Sequence, residues 1–206
     1  MSELLDILNS ADHLMVRQRR ELAELFGFET RNKYAITLPD GRDIGFAAEQ
    51  QKGLFGAVMR QLLGHWRTFE IHLFDSARQL ALRAVHPFRF FFQRLEVYSA
   101  TGQLLGALQQ RFALLSKRFD VLDAHGRVLM SVRSPFWRLW SFPFEKAGRE
   151  VAVVEKKWTG LLAEVFTDKD TFRVGLSDSS LSAQERQLVL AASLFVDLQY
   201  FEHKAD

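Results

Sequence analysis

The chain has 206 residues, room for one domain or a domain with a short extension. At 48% hydrophobic, with 19 Phe, 4 Trp and 3 Tyr, it can bury a large aromatic core, which excludes an intrinsically disordered protein. The 27 Lys+Arg against 25 Asp+Glu leave a net charge of +2, too small to indicate a nucleic-acid partner, and the lack of cysteine excludes disulfides, thiolate catalysis and cysteine-ligated zinc.

Met1 to Leu8 carries neither the basic stretch nor the cleavage site of a signal peptide, so the expectation is a cytoplasmic protein. Leu4, Leu5 and Leu8 share one face of a helix, with Ile7 beside them. His13 to Gln18 alternates weakly, as a strand would. Arg19 to Phe26 reads as a second short helix, with Gly27 as its stop. Residues 1–27 are thus expected as an N-terminal helical segment ahead of a β-domain over 28–206.

From Arg31 the apolar period becomes two. Tyr34, Ile36 and Leu38 alternate, Pro39-Asp40-Gly41 turns, and Ile44 and Phe46 alternate again. Asp-Gly supplies the positive φ that a hairpin turn needs. The pattern recurs four times. Phe69 to Ile71 leads through Asp75-Ser76 to Leu80 and Leu82. Leu95 to Val97 leads through Thr101-Gly102 to Leu104 and Leu105. Phe119 to Val121 leads through His125-Gly126 to Val128 and Leu129. Phe144-Glu145 leads through Gly148 to Val151 and Val153. This internal repeat of hairpins predicts a mainly β fold of about a dozen strands, wrapped into a barrel or sandwich.

The last element is a helix expected over 182–203. Ser182-Ala-Gln-Glu185 spells a capping box. From Leu188 to Phe201 apolar residues cover every face, so the helix is buried in protein or in lipid. Its length of ~20 Å falls short of a hydrocarbon core of ~30 Å. Asp197 within it would cost at least ~2.5 kcal/mol at bilayer depth. A core helix threaded through the barrel is the preferred reading. Asp197 is then expected as a buried carboxylate paired with a barrel arginine or lysine, or with backbone N–H groups.

Six segments stand in an order and spacing similar to those of the phospholipid scramblase family: Asn32 to Ile36, Phe46 to Glu49, Phe69 to Asp75, Lys157 to Gly160, Phe166 to Asp170 and Phe195 to Glu202. The similarity runs from about Asp12 to Glu202. It implies a tubby-like fold, a closed barrel of about twelve strands around a central hydrophobic C-terminal helix. It also implies phospholipid binding at a membrane, with movement of phospholipid between leaflets as the family activity. Family members with a Pro-rich N-terminus and lipidated cysteine clusters differ here, because this chain has neither. Hydrophobic residues replace the clusters, in Gly53 to Leu63, Pro87 to Phe92 and Pro135 to Trp140.

Any membrane contact must therefore come from side chains. Phe88, Arg89, Phe90, Phe92, Arg94, Phe136, Trp137, Arg138 and Trp140 are the candidate lipid interface, because rings favour the headgroup boundary and guanidinium groups pair with phosphate. The same aromatics would equally serve as plugs at the mouth of a barrel. The partner implied is a membrane surface of anionic phospholipid, at the inner face of the plasma membrane. No protein partner is indicated.

The resemblance further implies calcium at Asp168, Asp170 and Asp178, although no cofactor is required for downhill lipid movement. Read as an EF-hand from Asp168, the glycine position holds Arg173 and the twelfth holds Ser179, so the motif fails. Phe172, Val174 and Leu176 alternate as a strand would. A strand entered by an acidic turn is preferred, and weak calcium binding by Asp168 and Asp170 stays open. Histidines lack metal spacing, and neither a nucleophile elbow nor a phosphate loop is present, so an enzyme is not expected. The alternative to a scramblase-like protein is a soluble binding or scaffold module of the same fold.

Overall fold

A computed structural model describes residues 2–18, 33–50, 68–89, 91–138, 140–157 and 171–201. The predicted second N-terminal helix and the segment Gly53 to Leu63 lie outside the described residues. The chain opens with helix α1 (Glu3–Ser10) and strand β1 (His13–Gln18). There follow β2 (Lys33–Thr37), β3 (Asp43–Glu49), β4 (Phe69–Asp75), β5 (Leu80–His86), β6 (Arg94–Ser99) and β7 (Leu104–Gln110). Then come β8 (Ser116–Asp123), β9 (Val128–Pro135), β10 (Ser141–Lys146), β11 (Arg149–Lys157), β12 (Thr171–Gly175) and helix α2 (Ala183–Tyr200).

The twelve strands form one closed antiparallel barrel in which each strand pairs with its neighbours in sequence, and β1 closes the ring between β12 and β2. The strand reading of His13 to Gln18 therefore holds, and it carries part of the N-terminal segment into the barrel. Closure leaves no free sheet edge. Alternation sends Leu14, Val16, Ile36, Ile71, Leu73, Val97, Phe119, Val121, Phe142, Phe144, Phe172 and Val174 into the interior.

Helix α2 fills that interior. Its residues from Leu188 to Leu198 are all buried. Phe195 meets Phe119 edge-on at 5.7 Å between ring centroids. Gly106 on β7 lets the helix approach, since a Cβ there would stand 3.0 Å from Leu188 Cδ1 and 2.2 Å from the Leu122 carbonyl. Among the described residues, no helix is long and apolar enough to cross a membrane.

The two ends of the barrel differ. At one end the connections are tight. Leu38 N–H donates to the Arg42 carbonyl, and Gly41 N–H to the Leu38 carbonyl. The turns at 75–79, 99–103 and 123–127 repeat this pair of bonds, and each is followed by a register shift of one residue. This is a three-residue loop closed by a bulge. Helix α1 covers this end. Leu4 and Leu8 are buried, and Arg186 of α2 donates to the Leu8 and Ala11 carbonyls at 3.3 and 2.9 Å. Helix α2 also starts here, with the predicted capping box. Ser182 Oγ accepts the Glu185 N–H, and Glu185 returns a carboxylate oxygen to the Ser182 N–H at 2.8 Å. This is the turn end of the barrel, and opposite it lies the loop end.

Candidate functional site: the loop end of the barrel

Helix α2 runs from the turn end to the loop end, so Asp197, Tyr200 and Phe201 emerge beside the long connections. The interior becomes polar there. Tyr34, Glu49, His86, Gln93, Ser134 and Asp197 are all buried toward this end. Asp197 accepts a hydrogen bond from the Tyr34 hydroxyl at 2.8 Å. One partner of Asp197 is thus a tyrosine on β2, a residue type outside the arginine, lysine and backbone N–H groups expected from sequence.

Aromatics seal the mouth. Phe201 stacks on Trp140 at 5.3 Å and meets Phe172 at 5.7 Å. Lys117 and Lys156 direct their ammonium groups over the Phe201 ring at 4.7 and 4.2 Å. The Tyr200 hydroxyl is pushed well above its ordinary titration range by burial alone, so it stays neutral.

Around this plug stand the described connections β5–β6, β7–β8 and β9–β10. They hold Phe88, Phe91, Phe92, Phe112, Leu114, Leu115, Phe136 and Trp137, which are eight of the nine exposed large apolar side chains among the described residues. The ninth, Val128, begins β9 at the turn end. Leu114 is 85% exposed, Phe91 80% and Trp137 70%. Such segregation to one end is far from the scattered exposure that a surface shows by default.

The three connections form a continuous rim. Gln109 Nε2 donates to the Phe92 carbonyl at 2.9 Å, and Phe136 N–H donates to the Leu115 carbonyl at 3.3 Å. Phe92 has a φ of 53°, an uncommon conformation for a bulky residue. Such backbone strain, of order 1–3 kcal/mol, persists where the surroundings enforce it. The connections contain Arg89, Arg111 and Arg138, all exposed, and no Asp or Glu. Arg111 is held at 2.7 Å by Asp120 on β8.

The candidate lipid-interface residues therefore separate. Phe88, Arg89, Phe92, Phe136, Trp137 and Arg138 are exposed on the rim. Arg94 turns back along the wall to Glu96 at 3.0 Å and Gln109 at 3.3 Å. Trp140 is half-buried and belongs to the plug rather than the rim. Phe90 lies outside the described residues. Phe91, Phe112, Leu114 and Leu115 join the rim without having been singled out. The signal for the last three was present, because Phe112-Ala-Leu-Leu115 breaks the period-two pattern with an apolar run that lacks any turn residue.

Of the three acidic residues, only Asp178 falls within the described residues. Asp178 lies beyond β12 at the turn end, where Oδ1 accepts the Ser180 N–H at 2.8 Å and Oδ2 faces Arg149 at 3.3 Å. The Ser180 hydrogen bonds, with Arg149 behind them, hold its carboxyl below the usual carboxylate range. Asp168 and Asp170 lie outside the described residues. Among the described residues, no three His, Asp or Glu side chains are placed to hold a metal ion.

A family model described as Scramblase matches residues 1–203. The chain belongs to the scramblase family. It is 28% identical over 198 residues to a phospholipid scramblase family protein of Schizosaccharomyces pombe, a match covering 90% of this chain and 52% of that protein. It is 27% identical to phospholipid scramblase 2 of Bos taurus, covering 96% of this chain and 71% of the relative. It is 25% identical to phospholipid scramblase 1 of Homo sapiens, covering 96% and 65%. The chain thus spans about half the length of the fission-yeast relative.

Proposed function

We propose that this chain is a scramblase-like phospholipid-binding protein that docks end-on, through its loop end, onto the anionic inner leaflet of the plasma membrane, and that it eases the passage of phospholipids between leaflets. The observation that carries this reading is the collection of eight exposed apolar side chains on one arginine-bearing rim. Rings and leucines partition into the headgroup boundary, while Arg89 and Arg138 attract anionic lipid, each by about 1 kcal/mol. The movement runs downhill, so neither an energy source nor bond chemistry is required. Names of family relatives support phospholipids as the substrate class.

Flotation with liposomes tests the docking. The protein is expected to float with vesicles containing anionic phosphatidylserine, less with neutral ones, and equally with and without calcium. Replacing Phe91, Leu114 and Trp137 together by Ser removes side chains worth about 1.5 kcal/mol or more each when buried. It should lower partitioning by at least about a hundredfold and leave the thermal melt in place. Failure of the wild-type chain to float on any vesicle would overturn the membrane reading in favour of a soluble scaffold. A fluorescent-lipid leaflet assay with the same variant then tests transport.

A further inference from the structure

Because α2 fills the barrel with its buried run from Leu188 to Leu198, a lipid headgroup drawn out of the bilayer has no route through the interior. The outer wall beside the rim offers one. A groove of about 390 Å³ opens beneath Trp137, Arg138 and Trp140 and is lined by Ser141, Val153, Glu150 and Glu155. A second groove of about 340 Å³ shares Glu150 and Val153 and continues over Arg173, Gly175 and Asp178.

Register explains the shape. Ser141, Glu155 and Arg173 form one row across β10, β11 and β12, and Pro143, Val153 and Gly175 form another. Phe142, Val154 and Val174 between these rows are buried in the interior, so the two rows face outward. Gly175 adds no side chain beside Val153, where a Cβ would already crowd Val153 Cγ1 at 2.9 Å, and the wall is lowest at that row.

The lining carries both signs of charge. Arg138 and Arg173 present guanidinium groups, and Arg173 bridges to Glu155 at 3.3 Å. Glu150 and Glu155 present carboxylates. Trp137 stands at the rim, and Trp140 of the plug borders the groove beside it. A phosphodiester is recognised by guanidinium groups, and an ammonium by ring faces and carboxylates. One ligand class has both at fixed separation. We propose that the outer wall of β10 to β12, next to the rim, binds the headgroup of a zwitterionic phospholipid, one carrying a phosphodiester and an ammonium. This rests on the phospholipid reading above and adds where the headgroup sits and which charges it bears.

The test uses the full chain and soluble headgroups. Glycerophosphocholine carries both groups; glycerophosphoglycerol carries the phosphodiester alone. Calorimetric titration is expected to show glycerophosphocholine binding at least about fivefold more tightly, the worth of the ammonium contacts. The double variant E150Q/E155Q, altered only on the outer wall, should erase that preference. The variant V153F should fill the groove and abolish binding of both probes while liposome flotation stays unchanged. Equal binding of the two probes, no binding by the wild-type chain at millimolar concentration, or full binding by V153F would each overturn the groove. The docking reading fails separately, through loss of wild-type flotation.

Discussion

Arg78 has a φ of 61° in the turn between β4 and β5, at the place that Gly41, Gly102 and Gly126 fill in the sister turns. A side chain in this left-handed region costs about 1–2 kcal/mol, which glycine avoids, although glycine also loosens the unfolded chain. Arg78→Gly is therefore expected to stabilise the fold by about 0.5–1 kcal/mol, read as a higher midpoint in urea with an unchanged slope. A lower midpoint would mean that the arginine side chain contributes more than its backbone costs. Tyr34 makes the opposite case. Its hydroxyl donates to a carboxylate that is 1% exposed. Tyr34→Phe keeps the ring and removes that donor, and should cost about 1–3 kcal/mol by the same measurement.

At the scale of elements, the start of α2 is the most strongly determined feature. Glu185 serves the capping box with one oxygen and accepts the Lys146 ammonium on the other at 2.7 Å, which ties helix to wall. Burial by itself would raise its pKa. The Lys146 hydrogen bond and the Ser182 bonds outweigh burial and hold it below its ordinary value of 4.5. A carboxylate depressed in the folded state lends stability that is fully present above its unfolded pKa and is lost as pH falls through the folded value. Acid unfolding should thus steepen below about pH 4.5. Glu185→Gln should flatten that limb while lowering stability at pH 7 by about 1 kcal/mol, as thermal melts between pH 3 and 7 would show. Lys146→Met should flatten it as well, because it removes the charge that depresses the acid.

This helix start was legible in sequence because cap, box and apolar run are local signals within a few residues. The hairpins were legible for the same reason: alternation and an Asp-Gly or His-Gly turn sit side by side. What was not legible is contact between distant positions. Tyr34 and Asp197 are 163 residues apart, and nothing in either neighbourhood announces the other. Trp140 and Trp137 look alike in sequence, yet one stacks on Phe201 and the other faces outward, because which ring points to the helix depends on how the turn from Pro135 to Arg138 closes. The rim residues at 112–115 were overlooked because an apolar run reads as interior unless the ends of the barrel are known.

At the scale of the whole molecule, the up-and-down order has a consequence for orientation. Odd-to-even connections lead to one end and even-to-odd connections to the other, so the described tight turns share an end with α1 and the described apolar rim lies at the opposite end. A barrel lying on its side would bury mostly polar wall; standing on its rim, it buries Phe91, Phe112, Leu114 and Trp137. The absence of cysteine makes this directly measurable, since any single introduced cysteine can be labelled alone. A fluorophore at Leu114→Cys should be quenched by nitroxide lipids in anionic vesicles. One at His125→Cys, in the turn between β8 and β9, should remain bright. Because β8 joins the two labelled loops along its full length, the labels stand about 23 Å apart or more along the axis, well beyond contact quenching. Equal quenching at both sites would mean that the wall, not the rim, meets the membrane.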